Sequence, residues 1–280
     1  MRSSNYDWIN RGLCEAAAIG GHLGVLQWAR ANGCDWDSNT CYESAKGGHF
    51  GLLKWARLNG CPGDMETCVQ LAATGHLDML QWAREHGFPW DGRTCAEAAR
   101  NGHFEVLKWA RLNGCPGDME TCIECAAIGH LDMLQWAREH GFPWDGRTCA
   151  EAARNDHFEV LKWARLNGCP GDMDTCIQFA ATGHLDMLQW AREQGFPWDR
   201  RTCADAARNG HFELLKWARG NGCPWDQATC TAAVAAGRFD ILQWVRAEGC
   251  PWDGSTYRAA RLCRHQDVMN WVRLNGCPQV

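Results

Sequence analysis

Several things are missing from this 280-residue chain, and each absence removes a class of protein. No run of 18 or more apolar residues occurs, so no segment is expected to cross a membrane as a helix. The opening residues, MRSSNYDWINRG, contain no apolar stretch of the kind a secretion signal requires. Acids and bases are mixed along the chain and the formal net charge is −5. There is accordingly no basic block to follow a nucleic-acid backbone, and no acidic tail. Apolar alternation of strand length is also lacking. No glycine-rich phosphate loop, no set of Ser, His and Asp and no pair of carboxylates stands apart from its surroundings. A catalytic centre needs residues that occur once, so a non-enzymatic chain without cofactor or metal is expected. The remaining expectation is a monomer in the cytosol or nucleus (the host cytosol for a viral chain) that meets neither membrane nor nucleic acid.

What the chain does contain is a repeat. Residues 94–120 read TCAEAARNGHFEVLKWARLNGCPGDME, and the same frame restarts at Leu13, Thr40, Thr67, Thr121, Thr148, Thr175, Thr202, Thr229 and Thr256, every 27 residues. Ten units follow a short tail, residues 1–12, and occupy residues 13–280. A fixed period of this length marks a stacked array rather than a domain with one central core. Residues 67–120, 121–174 and 175–228 are near copies of a 54-residue double unit. The first two copies differ only at Val69/Ile123, Gln70/Glu124, Leu71/Cys125, Thr74/Ile128, Gly102/Asp156 and Glu120/Asp174. One half of the block carries QWAREHGFPW (Gln81–Trp90) and the other KWARLNGCPG (Lys108–Gly117).

Each unit reads as two short helices. Thr94 with Glu97 has the spacing of a capping box, so Thr94 is expected to cap the first helix. Ala98 and Ala99 are strong helix formers and small enough for another helix to approach closely. Gly102 suits the left-handed residue that ends a helix. His103 and Phe104 open the second helix, in which Phe104, Leu107 and Ala110 or Arg111 follow the spacing of a buried stripe. Asn113-Gly114 stops it, and Pro116, Gly117 and Asp118 form a compact turn into the next unit. An all-α solenoid of about ten helix–turn–helix repeats with tight links follows. Asp156 stands where other units have the turn glycine, and a local cost is expected there. Trp8 in the tail is expected to pack on the first unit. Arg258, Arg261 and Arg264 give the last unit a charged outer face, as a terminal cap requires.

Eighteen cysteines suggest a disulfide scaffold, but their placement is periodic. Nine occupy the second place of a unit and seven its end, where Phe88, Phe142 and Phe196 substitute for them. A residue interchangeable with Phe is packing as a small apolar side chain. Cys and the periodic turn His (His22, His49, His76, His103, His130, His157, His184, His211, His265) together admit a metal- or redox-responsive reading. The closely spaced pairs of structural zinc sites are nevertheless missing, with Cys122 and Cys125 an isolated exception. The arginine that closes each second helix, as Arg84 and Arg111 do, is expected to pair with link acids such as Asp91, Asp118 and Asp145, with anion binding as the alternative. The tryptophan of each second helix is expected to form an inter-repeat spine. The link residues Trp90, Trp144 and Trp198 sit in turns and are candidate contact points, since exposed aromatics commonly anchor interfaces.

The segment AARNGHFEVLKWARLNG resembles the ankyrin repeat, whose signature joins TPLHLAA to GH and then to an apolar helix ending in glycine. The resemblance covers nearly every unit. Cys95 and Glu97 stand at the Pro and His of that signature, the first helix is one residue shorter, and the link is about five residues shorter, trimmed to P-G-D or P-W-D. Similar short, Trp- and Cys-rich repeats occur in some giant viruses, algae and oomycetes. The resemblance implies a protein-interaction scaffold that holds a protein partner with its link tips and the concave row of first helices. That row comprises Val69, Gln70, Thr74, Ala96, Arg100, Asn101, Ile123, Glu124, Ile128, Arg154, Asn155, Ile177, Gln178, Thr182, Arg208 and Asn209. A structural array without a dedicated partner is the remaining alternative.

Overall fold

The computed structural model describes residues 7–263 and 266–279, with side chains from Gly12 onward. Trp8 as a packing residue, the turn His265 and the cap residue Arg264 therefore lie outside the described side chains. Among the described residues there are twenty helices and no strand. The chain divides into two compact units, Met1–Trp144 and Asp145–Val280. The first holds α1 (Asp7–Ile19), α2 (Leu23–Ala31), α3 (Ser38–Lys46), α4 (Phe50–Leu58), α5 (Met65–Ala73), α6 (Leu77–Glu85), α7 (Gly92–Arg100), α8 (Phe104–Leu112), α9 (Met119–Ala127) and α10 (Leu131–Glu139). The second holds α11 (Gly146–Arg154), α12 (Phe158–Leu166), α13 (Met173–Thr182), α14 (Leu185–Glu193), α15 (Arg200–Asn209), α16 (Phe212–Gly220), α17 (Gln227–Ala235), α18 (Phe239–Ala247), α19 (Gly254–Leu262) and α20 (Gln266–Leu274). Each unit is thus five helical pairs stacked neighbour on neighbour, an ankyrin-like α-solenoid architecture.

Helices of nine residues are too short to persist alone in water, so their stability comes from the faces they bury. The first helices of neighbouring repeats pack against each other at close range, as α5, α7 and α9 do in one unit and α13, α15 and α17 in the other. Small residues permit this: Ala96, Ala98 and Ala99 are buried, and so are Ala204, Ala206 and Ala207. The second helices of neighbouring repeats approach one another less closely. Most send two apolar residues and an alanine inward, such as Val106, Leu107 and Ala110 in α8. Val106 takes the inward place expected of Phe104, which is only half-buried.

The helix cap differs from the sequence expectation. Aspartate of the link, not threonine, is the N-cap. Asp91 Oδ1 accepts the Arg93 amide at 3.1 Å, and Asp64 Oδ1 accepts the Thr67 amide at 3.0 Å and its hydroxyl at 2.9 Å. Thr94 lies a turn inside α7 and is fully buried, and Glu97 pairs with Arg100 instead of closing a capping box. Two residue types that both favour caps stand three apart, and the helix starts at the earlier one. In the P-W-D links, where aspartate caps one residue closer, the hydroxyls of Thr94, Thr148, Thr202 and Thr229 find no partner among the described residues.

The 54-residue period has a steric cause. A Cβ added to Gly63 would lie 2.5 Å from Cδ1 of Phe88 in the next repeat, and one on Gly117 would lie 2.9 Å from Cδ1 of Phe142. The link glycine exists because the following repeat ends in phenylalanine. Where the following repeat ends in cysteine, the link carries tryptophan, and the thiol donates to the carbonyl of the aspartate after that tryptophan. Cys61 reaches Asp37 in this way at 3.2 Å, Cys115 reaches Asp91 at 3.1 Å and Cys250 reaches Asp226 at 3.3 Å. The closing arginine moves with this alternation. Arg57 lies 5.1 Å from the Phe88 ring and donates to the His86 carbonyl at 3.0 Å, whereas Arg84 stacks 4.0 Å from the ring of its own link residue, Trp90.

Two outcomes follow for stability. Gly63→Trp overfills one side of an interface and Phe88→Cys hollows the other, at about 1–3 and 3–5 kcal/mol respectively. The double variant recreates the Trp/Cys pairing, and chemical denaturation is expected to find it more stable than the sum of the singles by about 0.5–3 kcal/mol. Strict additivity would refute the steric coupling. Asp156 is the one non-glycine residue with positive φ among the described residues, at 61°, and its Oδ1 lies 3.0 Å from Nε2 of His184. The exposed contact returns about 0–1 kcal/mol against a left-handed cost of about 1–2 kcal/mol. Asp156→Gly should therefore raise the melting temperature by a few degrees, and an unchanged or lower value would overturn this balance.

Candidate functional site

Three sets of side chains are candidates: the first-helix row, the repeating Arg/His/Trp positions, and the cysteines. Along the row, Arg100, Asn101, Arg154, Asn155, Thr182, Arg208 and Asn209 are exposed, while Val69, Gln70, Thr74, Glu124, Ile128 and Gln178 are half-buried. Ile123 and Ile177 are only 6% and 7% exposed, and Ala96 only 3%. These three are corrections to the expected row: close packing of the first helices covers that position, and none of them offers surface to a partner. The exposed arginines meet acids of the row itself. Arg100 lies 2.6 Å from both Glu97 and Glu124, Arg154 2.7 Å from Glu151, and Arg208 3.0 Å from Asp205. The neighbouring Asn101, Asn155 and Asn209 donate to carbonyls one turn back, at 2.9 to 3.0 Å. This edge is polar, ordered by local bonds, and held by ion pairs each worth only about 0–1 kcal/mol because they are exposed.

The closing arginines do not meet link acids, which is a second correction. Those acids are committed to helix capping. The guanidinium instead donates to a link carbonyl just past its own helix, close to the C-terminal end where the helix dipole favours a cation. Arg57 Nη1 donates to the Cys61 carbonyl at 3.2 Å, Arg111 Nη1 to that of Cys115 at 3.3 Å, and Arg84 Nη1 to that of Phe88. The turn histidines bond backward across the repeat interface. Nε2 of His49, His103 and His211 lies 3.1 to 3.2 Å from the carbonyls of Ile19, Ala73 and Ala181. The ring passes so close to the preceding turn that a Cβ on Gly75 would lie 2.7 Å from His103 Cε1. Among the described residues no group of three or more His, Cys, Asp or Glu is placed to hold a metal ion.

The tryptophans lie outside the core. Trp90, Trp144 and Trp198 are half-buried, as are most helix tryptophans. In the P-W-D interfaces the link and helix rings meet edge to face, Trp90 with Trp109 at 5.6 Å and Trp198 with Trp217 at 5.9 Å. Beside each pair a cleft opens between successive second helices. One, of about 490 Å³, lies between α6 and α8 and is lined by Gln81, Arg84, Glu85, Trp90, Trp109 and Asn113. The other, of about 450 Å³, lies between α14 and α16 and is lined by Gln189, Arg192, Glu193, Trp198, Trp217 and Asn221. The residues correspond one for one. Sequence reasoning pointed to the link tryptophans but not to these clefts, although the QWARE segment that lines them is visible in the repeat.

All but one of the eighteen cysteines are buried, Cys263 being half-buried, and none forms a disulfide. Burial pushes the thiols of Cys68 and Cys176 up to about 12. Cys95, hydrogen-bonded to Cys115 and likewise buried, is also held protonated. The thiolate is the reactive form, so these side chains are chemically quiet at neutral pH. The sign of their effect on stability is fixed. Below the ordinary value of 9.0 both folded and unfolded chains keep the proton, and above it the unfolded chain releases it first. Stability should therefore decline as pH rises from about 9 towards 12, by up to about 1.4 kcal/mol per pH unit for each such thiol. Thermal melts of the parent across this range should fall more steeply than those of the Cys68→Ala/Cys176→Ala variant; parallel curves would contradict the burial account.

Comparison with protein families matches residues 68–111 to the model described as ankyrin repeats (many copies). No curated protein matches the chain. The matched segment runs from the first helix of one repeat to the second helix of the next, and the same helical pair recurs through the described residues.

Proposed function

Taking these units as ankyrin-like repeats, which generally act as protein-interaction modules, we propose that the array is a non-enzymatic scaffold. It holds a protein partner along the first-helix row and at the link tips. One observation carries the reading: the first helices α7, α11 and α15 use alanine on the faces that pack and Arg-Asn on the edge that does not, at Arg100-Asn101, Arg154-Asn155 and Arg208-Asn209. An exposed Arg–acid pair exchanges an internal partner for an external one at little cost, and the capped Asn side chains keep the backbone fixed while it does so. The half-buried Gln70, Thr74, Glu124, Ile128 and Gln178 and the exposed Thr182 beside them occupy places that vary between otherwise near-identical blocks, so they can tune the fit without changing the stack. We place the protein in the cytosol, consistent with reduced thiols.

Affinity capture from the source cell tests this directly. The parent is expected to retain a stoichiometric protein that the Arg100→Glu/Arg154→Glu/Arg208→Glu variant loses, with the variant's helical signal intact. Equal capture by parent and variant would remove the row from the account.

A further inference from the structure

The clefts between second helices lie apart from the first-helix row, and their chemistry is specific enough to name a ligand. In each, two aromatic rings form the floor, Trp90 with Trp109 and Trp198 with Trp217. The arginine of each cleft is already engaged, stacked on the link tryptophan at 4.0 Å for Arg84 and 4.2 Å for Arg192, and bonded to a carbonyl of its own chain. What remains open is acceptor capacity. Glu85 and Glu193 have no ion pair or hydrogen bond among the described residues, and neither do the side chains of Gln81 and Gln189. Asn113 and Asn221 use their amide nitrogens on Trp109 and Trp217 carbonyls, leaving the amide oxygens free to accept.

The glutamate is the informative residue. Glu85 and Glu193 are the last residues of α6 and α14, and Glu139 has the same place in α10. The C-terminal end of a helix carries partial negative charge, so an unpaired carboxylate there is locally unfavourable. The other half of the double repeat has leucine at this place, at Leu58, Leu112 and Leu166. An acid that breaks a local rule with no internal compensation, beside an aromatic floor, marks a position shaped by something outside the chain.

We infer that each cleft takes one lysine side chain from an extended basic segment of a partner protein, the ammonium resting on the helix tryptophan, Trp109 or Trp217, with the glutamate as its counter-ion. The ring faces attract the cation, the carboxylate pairs with it, and the Gln and Asn oxygens accept its remaining protons. The volumes accommodate one such side chain with the flanking peptide. The net charge of −5 favours a basic partner at long range. This inference rests on the reading of the array as a protein-binding scaffold, but it concerns a different surface, so the two fail separately.

The test titrates the full-length protein with a hexalysine peptide at fixed moderate salt, following tryptophan fluorescence and calorimetry. The parent is expected to bind with a change in tryptophan emission. The Glu85→Gln/Glu193→Gln variant is expected to bind at least about tenfold more weakly. A control that removes equal charge elsewhere, Glu105→Gln/Glu213→Gln, should bind like the parent, because those acids already pair with Lys108 and Lys216. Arg100→Glu/Arg154→Glu/Arg208→Glu should leave the tryptophan response in place even if the row partner is lost. Equal weakening in the cleft and control variants, undiminished binding to the cleft variant, no binding to the parent, or a tryptophan response to a neutral oligosaccharide instead of hexalysine would each overturn the assignment.

Discussion

A pair of nine-residue helices has more apolar surface than it can hide within itself, and everything else in this protein answers to that constraint. The surplus face closes only against the next pair. The first helices α7, α11 and α15 therefore carry alanine where they meet their larger-sided neighbours α5, α9 and α13, and most second helices direct Leu, Val, Met or Ile inward with an alanine beside them. Several of the recurring polar residues join one repeat to the next. The turn histidines His49, His103 and His211 reach carbonyls 30 residues earlier, and in the P-G-D interfaces Arg57 and Arg111 reach carbonyls 29 residues later. Their periodicity is that of a joint, which is why nine turn histidines and ten closing arginines do not amount to as many sites.

The double period refines this picture. As far as Cys223 two kinds of joint alternate, phenylalanine over glycine and cysteine beside tryptophan, and beyond it Trp225 with Cys250 and Trp252 with Cys277 repeat the second kind. Within the alternating stretch a single repeat duplicated out of turn would bring Phe against Trp or Cys against Gly. A two-repeat block duplicates without such a mismatch, and near copies of 54 residues are what the chain contains. Clefts open at two of the Trp/Cys joints, those of Trp90 and Trp198.

Much of the fold was legible in the sequence. The 27-residue frame, the helix–turn–helix content, the turn glycines and the left-handed Asp156 all follow from spacing and backbone chemistry. The cap was misplaced because Asp91 and Thr94 are both good cap residues, and only packing, which buries Thr94, decides between them. Ile123 and Ile177 were assigned to the open row because residue type says nothing of how near the next helix lies. The closing arginines were paired with acids because charge is visible in a sequence, whereas the carbonyls they serve are not. The clefts escaped for a similar reason: their walls come from two repeats, and only the unpaired Glu85 and Glu193 at helix C-termini betray them in one dimension.

The account stands on mutual burial between neighbouring repeats, and one position tests it within a single chain. Ala99 is fully buried against the adjacent first helix, while its equivalent in the last unit is Arg261, which is exposed. Hydrogen exchange on Ala99→Arg should show lost protection in α7 and together with it in the flanking α5 and α9, and Arg261→Ala should leave all three unchanged. Loss confined to α7, or native protection throughout Ala99→Arg, would mean that the helical pairs stand on their own and that the stack is not what holds this protein together.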